Sequence, residues 1–292
     1  MSTEISENSP QLPARAFILG VGVSAITLDS ATAFIESWIL RRPRRANYVC
    51  ITGVHGIVES QHDQRLRDIH NKAGLVTPDG MPLVFMAHRL GFKTVSRVYG
   101  PDLMRKLTEL SATNGYRQFY YGGAPGVAER LVAALKSRHP ELQVAGILTP
   151  PFRDLTPAED AAVIDRINAA EADIVWVGLS TPKQELWMAS HAARLNAAAL
   201  IGVGAAFDFL AGTKSQAPAW MQRSGLEWLY RLACEPRRLW KRYSRIVPYF
   251  LVFASLQLLR SRLSGSNGTQ NDEEGPVRGT SEARQFTPSG PL

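Results

Sequence analysis

Several short segments place acidic, amide or hydroxyl side chains beside glycine or proline, just after runs of β-forming residues. In Thr77-Pro78-Asp79-Gly80, Asp79 follows an apolar run and Gly80 lets the chain turn sharply. A carboxylate at such a strand end can serve as a general base, or it can simply cap the helix starting near Met81. In Thr181-Pro182-Lys183-Gln184-Glu185, Pro182 suits a first helical turn and leaves Gln184 and Glu185 at the sheet edge. There they can bond a polar ligand or satisfy the helix N-terminus. Gly122-Gly123-Ala124-Pro125-Gly126 joins a strand to a helix, and its amides offer either a diphosphate cradle or a bare structural turn. Asp208, within the apolar run 202–212, needs a partner if it is ionised.

The cationic residues are confined. The 292-residue chain carries a net charge of +7, and residues 231–262 alone account for that excess, with eight Lys or Arg against Glu235. Such a patch suits a nucleotide diphosphate, an acidic lipid surface or nucleic acid. Arg238, Arg242 and Arg245 fall on one helical face, where guanidinium forks match phosphate oxygens. Residues 246–259 then run uncharged for fourteen positions, short of the ~20 needed to span a bilayer. Flanked by arginines, this run predicts a helix lying in a membrane interface through residues 237–262, with a buried packing helix as the alternative. The adjoining apolar run favours a membrane-proximal phosphate site over nucleic-acid binding.

These segments must be held by a scaffold, and the alternation of apolar runs with helical spacing describes one. Strands are expected over 16–20, 48–52, 74–78, 117–121, 143–147, 174–179 and 198–202. Between them, helices are expected at 30–40, around 57–65, and at 81–90, 127–135, 157–170 and 182–195, with Asp29 as the first N-cap. This alternation predicts an α/β fold, a doubly wound, mostly parallel sheet covered on both faces. Residues 1–15 are expected to be disordered, 16–217 to form the domain, 218–263 a basic helical appendage, and 264–292 a disordered tail.

The Gly20-x-Gly22 pair invites a dinucleotide reading, but Ala25 stands where the third glycine belongs and no acidic residue closes the next strand. A tight strand-to-helix turn explains the pair, and no cofactor is expected. Two cysteines exclude a disulfide framework, and the six histidines lack metal-ligand spacing, so no metal site is expected. Whether the protein forms a homo-oligomer stays open, because core-packing and subunit-packing helix faces look alike.

Taken together, TPDGMPLV (77–84), RVYGPDL (97–103), YYGGAPGVAERL (120–131), GLSTPKQELWM (178–188) and the segment from GVGAAFDFLAG to the arginine-rich 231–243 resemble the WecG/TagA/CpsF family of bacterial glycosyltransferases. The resemblance spans about residues 16–250. It implies a Rossmann-like domain with a membrane-contacting appendage. The activity implied is inverting transfer of a sugar, typically N-acetylmannosamine, from a UDP-sugar to an undecaprenyl-diphosphate-linked acceptor, at the cytoplasmic membrane face during surface polysaccharide assembly. It assigns the general base to Asp79, ligand-binding roles to Thr52, Arg97 and Gln184, and leaving-group stabilisation to arginines among Arg231, Arg237 and Arg238. Val54 replaces an asparagine found in many members, and Gln216 a basic residue, which leaves the transferred sugar open. An NAD-type oxidoreductase, a nucleic-acid-binding protein and a non-enzymatic membrane protein are the rival readings.

Overall fold

The computed structural model describes residues 12–41 and 43–263. Its centre is a parallel sheet of six strands: β3 (Asn47–Thr52), β4 (Leu75–Pro78), β5 (Arg117–Gly122), β6 (Gln143–Leu148), β7 (Ile174–Gly178) and β8 (Ala199–Gly202). Their spatial order is β4-β3-β8-β7-β5-β6, and every neighbouring pair is parallel. Strand side chains alternate between two cores, as the two-residue period demands. Cys50, Phe119, Tyr121, Val175, Val177 and Leu200 face one core; Val49, Tyr120, Ile174, Trp176, Ala199 and Ile201 face the other. The first is covered by α2 (Val54–His62), α4 (Met81–Arg89), α7 (Pro157–Ala169) and α8 (Lys183–His191). The second is covered by α1 (Leu28–Leu40), α5 (Gly100–Asn114), α6 (Val127–Arg138) and α9 (Ala206–Leu210). Burial on both faces is why IVWVG in β7 reads as a continuous apolar run.

The N-terminal segment corrects the sequence reading. Residues 16–20 do not enter the parallel sheet: β1 (Arg15–Ile18) and β2 (Val21–Ser24) form a separate antiparallel hairpin. Leu19 and Gly20 both have positive φ (48° and 79°), the two-residue turn that matches strand twist in a hairpin. The Gly20-x-Gly22 pair therefore makes a hairpin, not a strand-to-helix turn, and no dinucleotide loop stands there. Arg15, placed in the disordered N-terminus by the sequence reading, opens β1 and donates to the carbonyls of His70, Asn71 and Ala73. Asp29 is not the first N-cap. Thr27 is, in a capping box with Ser30, while Asp29 pairs with Lys106. The helical stretch after β3 is broken by Asp63, which caps α3 (Gln64–Lys72). The expected disorder of residues 1–11 and 264–292 lies outside the described residues.

The C-terminal helices α10 (Ala219–Arg223), α11 (Glu227–Cys234) and α12 (Pro236–Leu263) close over one end of the sheet. At 28 residues, α12 is long and apolar enough, by length and composition alone, to cross a membrane, which its fourteen-residue uncharged run did not suggest. The packing alternative holds for one face of the helix, and the other is exposed. Leu239, Ile246, Phe250 and Ala254 are buried against the body, and Gln257 bonds Leu19 and Phe17 of the hairpin. Trp240, Leu251, Val252, Phe253, Leu256 and Leu259 are exposed.

Candidate active site

The carboxyl ends of β4, β3, β8 and β7 open into a cavity of about 450 Å³, roofed by α11 and α12. The chain leaves β3 toward β4 on one side, whereas β8 on its other side is reached from β7. Such a reversal leaves a crevice between strand ends, the general ligand position in open α/β sheets.

Asp79 stands at the end of β4. It does not cap α4; Gly80 holds that position without a side-chain bond. Its turn is fixed from both ends: the Asp79 amide donates to the Thr52 carbonyl (3.0 Å), and the Arg97 Nε donates to the Asp79 carbonyl. The carboxylate Oδ1 is buried without a protein partner. Burial pushes the Asp79 carboxyl up from 3.8 to about 6; Arg97 opposes the rise, Glu227 adds to it, and Arg231 and the Gly100 backbone oppose it. A carboxylate so raised is ionised at neutral pH yet a stronger proton acceptor than an exposed aspartate.

Three arginines line the cavity: Arg97, Arg231 and Arg242. Arg97 is committed to the protein. Its guanidinium pairs with Glu227, donates to Gln222 Oε1 (3.1 Å) and lies 4.0 Å over the Tyr99 ring. Arg231 and Arg242 make no ion pair among the described residues; Arg231 rests 5.9 Å from the Phe209 ring centre. His55 stands on the same wall, 3.4 Å from Glu59. Burial and the positive field of Arg242 lower its pKa to about 4, so it is neutral at pH 7. Trp228 and Tyr243 meet edge to face at 5.9 Å and join α11 to α12.

At the start of α8, Gln184 and Glu185 are nearly inaccessible (3% and 1%). Glu185 Oε1 accepts from the Thr181 hydroxyl (2.9 Å) and from Gln184 Nε2 (3.1 Å). The Gln184 side chain lines the cavity with an unpartnered Oε1, an acceptor that suits a ligand hydroxyl or N–H. Glu185 sits behind it, and burial raises its pKa.

The structure thus gathers Asp79, Arg97, Gln184 and Arg231 around one cavity, and leaves the other expected site residues outside its lining. Thr52 is buried beneath it, where its carbonyl supports Asp79. Gly122 and Gly123 are committed to packing: a Cβ on Gly122 would lie 2.7 Å from the Gly178 carbonyl, and the Gly123 amide already donates to that oxygen. Asp208 has its partners in Thr213 and Lys214. Arg237 is exposed, and Arg238 pairs with Glu235 at 2.5 Å. Tyr99, Gln222, Glu227 and His55 were not anticipated. Arg242 was anticipated only as part of a basic face.

A buried carboxylate with a raised pKa and two guanidiniums without an ion pair thus share one cleft at the strand ends of a parallel α/β protein. Comparisons with known proteins give its class. Residues 16–264 match the model of the glycosyl transferase WecG/TagA/CpsF family. An N-acetylglucosaminyldiphosphoundecaprenol N-acetyl-beta-D-mannosaminyltransferase of Staphylococcus aureus is 26% identical over 240 residues, 82% of this chain and 91% of that protein. One of the same name from Bacillus subtilis (strain 168) is 32% identical over 189 residues, 65% of this chain and 72% of that protein. The chain belongs to the WecG/TagA/CpsF family, and it is a glycosyltransferase.

Proposed function

We propose that this enzyme transfers N-acetylmannosamine or a related hexose derivative from a UDP-sugar to an undecaprenyl-diphosphate-linked sugar, with inversion, in surface polysaccharide assembly. The observation that carries the reading is the sharing of one cavity by the Asp79 carboxylate and the unpaired Arg231 and Arg242. The acceptor hydroxyl gives its proton to Asp79 as its oxygen attacks the anomeric carbon. The bond from that carbon to the β-phosphate oxygen breaks, and UDP leaves from the opposite face, so a single displacement inverts the centre. Charge grows on the departing diphosphate, and preorganised cations stabilise it where it appears. Arg231 and Arg242 take that part; Arg237 and Arg238 lie outside the cavity. Among the described residues no three His, Cys, Asp or Glu side chains group to hold a metal ion. The donor sugar rests against Gln184 and Val54, where Val54 offers no hydrogen bond.

The relatives' names carry the lipid-linked acceptor to this chain. Its polar head enters the cavity past Val247, Phe250 and Leu251, while the outer face of α12 lies in the membrane surface at the cytoplasmic side. The test is incubation of the purified protein with UDP-sugars and a short-chain prenyl-diphosphate-linked sugar. Product mass identifies the donor, and the anomeric proton coupling or carbon shift identifies inversion. A product that retains the donor's configuration, or no product from any UDP-sugar, overturns the proposal.

A further inference from the structure

Arg97 lines the cavity but has little left to offer a ligand. Its Nε donates to the Asp79 carbonyl, one terminal nitrogen to Gln222, the other to Glu227, and its face covers Tyr99. Glu227 is equally committed: one oxygen takes Arg97, and the other accepts from the Tyr99 hydroxyl (3.3 Å). Both members of the ion pair are largely buried, at 15% and 16% side-chain exposure. A pair withdrawn from water in this way is costly to break from one side, because the remaining charge is left uncompensated.

We infer that Glu227 is a positioning residue of this transferase: through Arg97 it holds the turn that carries Asp79, so a carboxylate of α11 sets the catalytic base. The inference rests on Asp79 being that base. The links run in series, from Glu227 to the Arg97 guanidinium, from Arg97 Nε to the Asp79 carbonyl, and from the Asp79 amide to the end of β3. The charged and titratable groups facing Asp79 are Arg97 and Tyr99 before α5 and Glu227 and Arg231 on α11, with the Gly100 amide; His55 and Arg242 stand on the same cavity's walls. Arg97 draws the proton off Asp79, and Glu227 offsets that pull. Loss of the Glu227 charge therefore both weakens the base and loosens its turn.

The experiment compares full-length wild type with Glu227→Gln, Glu227→Asp and Asp79→Asn, each checked for wild-type melting. In Glu227→Gln we expect kcat to fall about tenfold or more, as misplacement of a reacting group does. The donor KM should change far less, because Arg231 and Arg242 remain, and the acid limb of kcat/KM should move to lower pH. Glu227→Asp keeps the charge, so its limb stays near the wild-type position even where kcat falls. A folded Glu227→Gln with wild-type kcat, or with lost kcat and an unmoved limb, overturns the inference. Turnover retained by Asp79→Asn overturns instead the base assignment beneath it. If Glu227→Gln melts early, Arg97→Gln/Glu227→Gln replaces it, since it leaves no unpaired charge. The double variant releases the Asp79 turn, so its kcat should fall about tenfold with little change in donor KM; a folded double variant with wild-type kcat sinks the inference.

Discussion

Replacing Asp79 with asparagine separates catalysis from stability, because one property of the residue, a buried carboxyl, acts on them in opposite directions. The carboxyl is held at about 6 in the folded protein against an ordinary 3.8. As a base it is about 90% ionised at pH 7 and about 10% at pH 5, so kcat/KM should drop roughly tenfold across an acid limb centred near 6. Asp79→Asn has no base and should lose about 10²- to 10⁴-fold in turnover.

Its effect on stability has the other sign. A carboxyl whose folded pKa is raised binds its proton more tightly in the native state, so its stabilising contribution is complete below about pH 4 and is lost as pH rises through 6. At neutral pH the buried ionised carboxylate costs on the order of 3 kcal/mol, an upper limit on what asparagine relieves. Asparagine brings its own unpaired amide, which takes back about 1–3 kcal/mol. Asp79→Asn should therefore melt no lower than wild type at pH 7.5 and lose that advantage at pH 4.5. Calorimetry at both values, beside a pH–rate profile with saturating acceptor, checks the argument. A variant that melts well below wild type at pH 7.5, or a wild-type rate flat from pH 5 to 7, refutes it.

Other expectations are simpler. Arg231→Gln and Arg242→Gln should each lower kcat by about 10²-fold, within the range for loss of one transition-state donor, while Arg237→Gln, outside the cavity, stays near wild type; steady-state kinetics distinguish them. Activity should survive excess chelator, since Arg231 and Arg242 supply the positive charge; collapse restored only by added magnesium or manganese would show a metal doing that work. Leu251→Glu with Leu256→Glu, on the exposed face of α12, should sharply reduce sedimentation with anionic vesicles without unfolding the protein, because the buried stripe is untouched. Gln118→Leu should cost about 2–4 kcal/mol in chemical denaturation, because Gln118 Oε1 accepts from the buried Tyr120 hydroxyl (2.6 Å) and Trp176 Nε1 (2.8 Å).

Where apolar pattern decides the structure, the sequence was readable. The six parallel strands, α4, α6 and α7 follow their expected bounds within two or three residues, because two-sided burial demands continuous apolar runs and helices show their spacing. The hairpin was misread because Ala16–Ile18 is as apolar as a central strand, and one positive-φ turn at Leu19-Gly20 sends the chain back instead of into a helix. Helix α5 went unanticipated although Leu103, Met104 and Leu107 recur on one face and Gly115 ends it in the left-handed conformation. Its signal was present but began inside the motif RVYGPDL, whose last four residues form its first turn.

The site divides along another line. Residue type and strand-end position mark Asp79 and Gln184 as candidates, because both are local properties. Which arginine is free for a ligand is not local: Arg97, Arg231, Arg238 and Arg242 are chemically alike. Their difference is made by carboxylates far away or just before the helix. Glu227, 130 positions from Arg97, takes that guanidinium, and Glu235 takes Arg238 three residues on. Arg231 and Arg242 are left without one among the described residues and so hold the only positive charge in the cavity not already neutralised by an ion pair. The net charge of +7 locates the patch, but the placement of two glutamates decides which of its cations can meet a phosphate.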